Sequence, residues 1–194
     1  MCLLLLSGCV SGSLDKVPPY YGFPAEWVSD RDDFPPGFPM DSITETNRDL
    51  DIAIIGEGFF VCTDATTGEL VYTRRGHFNI NAEGRMTSGG TLLIEHPTVG
   101  YYFNSYALEP AIVVPPDTQK ILIGDRGYVW SLREPGTPIE IIGLIELATF
   151  AHPEGLQQVE ENLYRETAAS GPATINAPGT NGTGWLKTQY LEQH

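Results

Sequence analysis

The chain has 194 residues and carries 25 acidic side chains against 11 basic ones, a formal net charge of −14. Such an excess of negative charge repels phosphate backbones and anionic lipid head groups, which argues against nucleic-acid binding. Its 21 glycines and 15 prolines are well above the usual share and both break helices, which argues against a helix bundle; no apolar run reaches the ~20 residues of a membrane-spanning helix.

At the N-terminus, the apolar run Leu3 to Leu6 is followed by Ser7-Gly8-Cys9. An apolar stretch ending in small residues is the pattern of a signal peptide. With a cysteine next in line it resembles a bacterial lipobox. That resemblance implies acylation of Cys9 and a membrane anchor, at ~0.8 kcal/mol per buried methylene. Residues 1–9 are therefore read as a lipoprotein signal-like segment. The segment is short and lacks a basic stretch ahead of it, as expected of a start codon placed too far downstream. Val10 is not the aspartate that retains many lipoproteins in the inner membrane, so the resemblance favours the outer one.

Residues 10–41 read as a linker. Val17-Pro18-Pro19-Tyr20-Tyr21-Gly22-Phe23-Pro24 and Phe34-Pro35-Pro36-Gly37-Phe38-Pro39 are rich in proline and aromatics, with Asp30, Asp32 and Asp33 between them. Proline removes backbone donors and favours extended chain, so this segment is expected to be disordered. A plain spacer has no need of Tyr20, Tyr21, Phe23, Trp27, Phe34 and Phe38, so a surface that lies along a partner is the alternative.

From residue 42 to 194 the chain reads as one mainly β domain. Short strand signals cover Ile52 to Ile55, Phe59 to Cys62, Leu70 to Thr73, Phe78 to Ile80, Leu92 to Ile94, Ala111 to Val114, Lys120 to Ile123 and Tyr128 to Trp130. Gly56-Glu57-Gly58, Thr67-Gly68, Asn81-Ala82-Glu83-Gly84 and Gly124-Asp125-Arg126-Gly127 supply the turns. Glu140 to Phe150 reads as the longest strand. One short helix is predicted from Pro153, a residue suited to a first helical turn. Leu156, Val159 and Leu163 would then share a face. A loop over 177–184 and a closing segment from Trp185 to Leu191 end the domain.

No residue pattern calls for catalysis, a cofactor or a metal. His77, His96, His152 and His194 are scattered, without the i, i+4 or Cys–His spacing of a ligand set. Phosphate-loop, dinucleotide and G-x-S-x-G patterns are missing. Ser88-Gly89-Gly90 has no base beside it. Glu160-Glu161 and Asp30 to Asp33 read as solvated carboxylates rather than an acid–base pair. Cys62, in a strand-like run, is expected to be an inert buried thiol.

Five segments, in order, resemble the flagellar hook and basal-body rod protein family, its distal-rod members above all. Leu50-Asp51-Ile52-Ala53-Ile54 with Gly56-Glu57-Gly58-Phe59-Phe60 is similar to the family's "LDxAIxGxGFF" block. Tyr72-Thr73-Arg74-Arg75-Gly76-His77-Phe78 is similar to its "YTRxGxF" block. Gly84 and Gly89 match the turn and glycine pair that follow. Gly143 to Phe150 with Gly155-Leu156, and then Asn162-Leu163-Tyr164-Arg165-Glu166-Thr167-Ala168-Ala169-Ser170-Gly171, complete the set. The resemblance spans about residues 42–192, apart from an irregular stretch near Glu95 to Glu109.

The resemblance implies a hook/rod-type β domain whose signature residues build structure rather than do chemistry. It implies a non-enzymatic part of the flagellar basal body that supports motility. Its partners would be rod, hook or ring proteins and a membrane reached through the acyl anchor, in the periplasm, with no nucleic acid or small-molecule substrate. Members that form the axial tube carry long helices at both ends. Neither is read in this chain, so self-assembly into a rod is not expected. The alternative is an envelope lipoprotein that holds peptidoglycan, with Tyr101-Tyr102-Phe103, Trp27, Trp130 and Trp185 stacking on sugars.

Overall fold

The computed structural model describes residues 42–193, apart from 66, 89–92, 97–99, 104, 105, 135 and 136. The expected signal segment, the linker, Cys9, Trp27, Gly89 and His194 lie outside the described residues, and the side chains of Tyr101 to Phe103 and His96 do too. Within them the chain forms eighteen short strands, all antiparallel where paired, and no α-helix.

Strands β1 (Ile43–Glu45) and β2 (Ile52–Ile55) lead into β3 (Phe59–Asp64), β4 (Leu70–Thr73), β5 (Phe78–Ile80) and β6 (Met86–Ser88). A separate hairpin, β7 (Leu93–His96) and β8 (Gly100–Phe103), precedes β9 (Tyr106–Leu108). Then come β10 (Lys120–Ile123), β11 (Tyr128–Leu132) and β12 (Glu140–Leu144), which make their own three-stranded sheet. The last six are β13 (Leu147–Thr149), β14 (Gln157–Glu160), β15 (Leu163–Arg165), β16 (Thr174–Asn176), β17 (Trp185–Thr188) and β18 (Tyr190–Glu192).

The main sheet runs β14-β15-β4-β3-β9-β6-β5, with β13 pairing both the start of β3 and β16. Late strands return to early ones: β17 pairs with β2 and β18 with β1. The alternation of a strand sends Phe60 and Cys62 into the main core, where Phe78, Val71, Met86, Leu147 and Leu186 meet them. Phe60 and Phe78 meet edge to face at 5.0 Å. The intervening Val61 joins Tyr72 and Ala148 on the opposite face. β2 is buried on both sides, which explains its unbroken apolar run: Ile52 and Ile54 face the main core, Ala53 and Ile55 face Ile43 and Tyr190.

Three sequence expectations change. The segment after Pro153 is not the expected short helix. Pro153–Gly155 makes a single 3-10 turn, and β14 and β15 follow as a hairpin. The register shifts between Gln158 and Glu160, a bulge at Val159 that inserts an extra residue and puts Leu156, Val159 and Leu163 at helix-like spacing. Asn162 then takes a left-handed φ of 59° and turns the hairpin. The expected long strand Glu140 to Phe150 is two strands. Ile145 leaves the ladder with its side chain buried, and its N–H donates to the Gly127 carbonyl at 2.7 Å. Ala111 to Val114 is no strand; Val113 makes only an isolated bridge to Arg85. The tight turn before β11 is as expected, with Gly127 at φ 86°.

Candidate functional site

The residues of the two N-terminal signature blocks converge on the bend between β2 and β3. Gly56 and Gly58 adopt φ of 114° and 124°, a region that side chains rarely enter. Their carbonyls, and that of Ile54, turn towards Arg74 at the end of β4. Arg74 Nη1 donates to Gly56 O and Gly58 O, both at 2.8 Å, and Nη2 donates to Ile54 O at 3.0 Å. Glu192 in β18 closes the set. Its Oε1 accepts from Arg74 Nη2 at 2.7 Å and its Oε2 from Nε at 3.0 Å. The same Oε1 accepts the Ile54 N–H at 3.2 Å. A planar guanidinium is suited to this work, since its forked donors hold a carboxylate and backbone carbonyls together.

Gly76 follows within two residues. Ile52 N donates to Gly76 O at 2.9 Å, and a Cβ at position 76 would lie 1.6 Å from the Ile52 carbonyl oxygen. Only glycine lets β2 approach this closely. Asp51, buried at the entry of β2, bridges to His77 through the backbone, and its carboxylate lies 2.8 Å from His77 Nδ1. The same Asp51 oxygen pairs with Arg48, whose guanidinium also reaches Phe78 O and Asn79 Oδ1. Leu50 packs on the core beside it.

The signature aromatics gather on the outer face of the main sheet. Phe150 meets Tyr72 at 4.9 Å and Phe59 at 6.0 Å, and Phe59 meets Tyr164 at 5.7 Å, all edge to face. The Tyr72 hydroxyl points at Glu166 Oε2, 3.4 Å away. Burial first, and the Glu166 carboxylate second, push the Tyr72 hydroxyl up to about 12. Thr73 Oγ1 donates to the Asn162 carbonyl at 2.5 Å and so ties the β14–β15 hairpin to β4. Leu163 is buried behind that hairpin. Gly155 lies flat on the Ala169–Ser170 peptide, where a Cβ would come within 2.6 Å. Its carbonyl accepts from Thr167 Oγ1 at 2.7 Å, Thr167 N donates to the buried Ser170 Oγ, and Gly171 turns the chain at φ 72°. Gly84 turns the chain before β6, at φ 79°.

The serine hydroxyls and the thiol near these arrangements are engaged or buried. Ser88 Oγ donates to the Arg75 carbonyl and Ser170 Oγ to Thr167 O. Burial pushes the Cys62 thiol far up. His152 is exposed beside Glu154, and among the described residues no three His, Cys, Asp or Glu side chains are grouped as metal ligands. Trp130 is 2% exposed, which removes it from any sugar-stacking surface; Trp185 is half-buried under Arg126, whose guanidinium lies 5.6 Å from the ring. Sequence reasoning missed Arg48, Asn79 and Glu192, and the role of Glu166. Glu192, Glu166 and Asn79 act through partners distant along the chain, and Arg48 joins its near neighbour Asp51 to distant Phe78 and Asn79, so no local pattern marks them.

Residues 53–131 match the family model described as the flagellar hook protein FlgE/F/G D1 domain. Flagellar basal-body rod protein FlgG of Caulobacter vibrioides is 34% identical over 149 residues, 77% of this chain and 51% of that protein. FlgG of Bacillus subtilis is 36% identical over 149 residues, 76% of this chain and 51% of its own length. The chain belongs to the flagellar hook and rod protein family. Flagellar hook protein FlgE of C. vibrioides is also similar, 38% identical over 72 residues, 37% of this chain and 12% of that protein. The hook–rod domain match takes in the two-glycine bend, Arg74 and Gly76, while Asp51, Asn162 and Glu192 lie beyond it. The chain spans about half the length of the rod relatives it matches.

Proposed function

We propose that this chain is a non-enzymatic structural component of the bacterial flagellar basal body, of the distal-rod type, held in the periplasm by acylation of Cys9. The observation that carries the reading is the Arg74 clamp. Signature residues scattered between Leu50 and Gly171 serve bends, close approaches and hairpin ties of one β domain, and that economy suits a rigid building block. The half-buried Phe59, Phe150 and Tyr164, and the exposed Leu70 and Ile175, supply apolar surface of the kind protein partners cover. Its partners are then rod, hook or ring proteins.

Deletion of the gene tests this, read by swimming and by imaging of basal bodies. Loss of motility with an altered basal body is expected. Normal swimming with an unchanged basal body overturns the reading. The anchor is tested separately: Cys9→Ser is expected to move the protein from the membrane to the soluble periplasmic fraction. Unchanged membrane association of that variant overturns the acylation.

A further inference from the structure

Between the main sheet and the three-stranded sheet lies a groove of about 410 Å³. Its floor is apolar, made of Leu50, Ile80 and Ile121, each half-buried and packed on the main core. Lys120 stands on its rim, and Arg48 beside it is already paired with Asp51. The one acidic rim residue, Asp49, already accepts from Gln189 Nε2 at 2.8 Å. One wall is β10, an edge strand that pairs only with β11 among the described residues. The groove therefore offers apolar contact, the cation of Lys120 and an open strand edge together.

We propose that residues 30–39 of this same chain, Asp30 to Pro39, occupy this groove, with Phe34 on its apolar floor and the aspartates 30, 32 and 33 towards Lys120. Three observations carry the assignment. The first is reach. Arg48 is six residues on from Ser42, so the groove's edge lies at most ~22 Å from Ser42. Phe34 is eight residues upstream of Ser42, and an extended proline-rich chain of that length covers ~25 Å. The second is chemistry. The segment reads acidic, then Phe-Pro-Pro-Gly-Phe-Pro, and an extended proline-rich strip with aromatic anchors suits a shallow apolar groove. The third is tethering. A segment joined to the domain by a few residues acts at an effective concentration in the millimolar range, so modest contacts suffice. The inference stands on the groove and on chain connectivity, and holds whether or not Cys9 is acylated.

Hydrogen exchange on the full chain tests it. Phe34→Ala alters only the segment, outside the β domain, so folding is not at stake. Exchange over 48–50 and 114–121 is expected to rise at least tenfold in this variant, and a synthetic peptide of residues 28–41 added at saturation is expected to restore protection. Asp30→Asn, Asp32→Asn and Asp33→Asn together are expected to raise exchange there severalfold. Equal exchange in the parent and the Phe variant overturns the proposal. So does protection that fades on dilution as a dimer dissociates in light scattering, which gives the groove to a second copy. A rise spread evenly over β2 and β3 counts against it too, because the effect would not be local.

Discussion

Arg74 and Glu192 are 118 residues apart in sequence and form a two-pronged ion pair, at 2.7 and 3.0 Å. Their side chains are mostly shielded, at 23% and 13% exposed. The pair is more than a surface bridge, because Arg74 also satisfies three carbonyls of the β2–β3 bend.

Removing the guanidinium leaves those carbonyls and the Glu192 carboxylate without their donor. Arg74→Ala is expected to destabilise the domain by about 2–4 kcal/mol, near the lower part of the range for broken buried pairs because both partners keep some solvent. Arg74→Lys is expected to recover less than half of that loss, since an ammonium cannot fork. Urea unfolding measures both. A double-mutant cycle with Glu192→Ala is expected to show a coupling above about 1 kcal/mol.

At Gly76 the obstacle is steric. A methyl there would sit 1.6 Å from the Ile52 carbonyl oxygen, so β2 and the chain before β5 must separate. Gly76→Ala is expected to cost at least about 3 kcal/mol. Gly68 provides the contrast: it has φ 73° but nothing within 4 Å of an added Cβ. Gly68→Ala is expected to cost about 1 kcal/mol, the backbone penalty alone. Thermal unfolding of the two variants separates steric from conformational cost.

The β14–β15 hairpin depends on Asn162 at φ 59°. Asn162→Ala is expected to lose about 1–2 kcal/mol, and Asn162→Gly to stay close to the parent. If alanine and glycine behaved alike in chemical denaturation, the left-handed turn would not be what holds asparagine there.

Tyr72 gives a pH dependence of known sign. Its hydroxyl titrates near 10 in an unfolded chain and is pushed up to about 12 in the fold, first by burial and then by Glu166. The unfolded chain therefore releases this proton first. The stability linked to it is complete below pH 10 and falls as the pH rises towards 12. Tyr72→Phe is expected to flatten that part of the stability–pH curve, and spectrophotometric titration is expected to show one fewer late-ionising tyrosine.

Much of the β framework is legible in the sequence. β2, β3, β4, β10 and β11 are apolar or alternating runs bounded by glycine turns, and a strand needs little more. β1 and β16 were not legible, because three residues such as Thr174–Asn176 carry no period. The hairpin after Pro153 reads as a helix in sequence because its bulge at Val159 imitates helical spacing. The family blocks were readable as residue types, but their jobs were not. Nothing near Arg74 in sequence announces Glu192, and Asp51 reads as a polar strand entry until Arg48 and His77 are seen to share its carboxylate. Local pattern reports backbone form; a clamp between chain-distant residues exists only after folding.

The pairing of β1 with β18 has one more consequence. Ile43 stands directly opposite Glu192, and the Gln193 N–H donates to Ser42 O at 2.8 Å. Two positions opposed in an antiparallel ladder are about 5 Å apart. The domain can therefore be lifted out between those points and grafted into a single loop of an unrelated host, whose flanking residues need barely part to receive it.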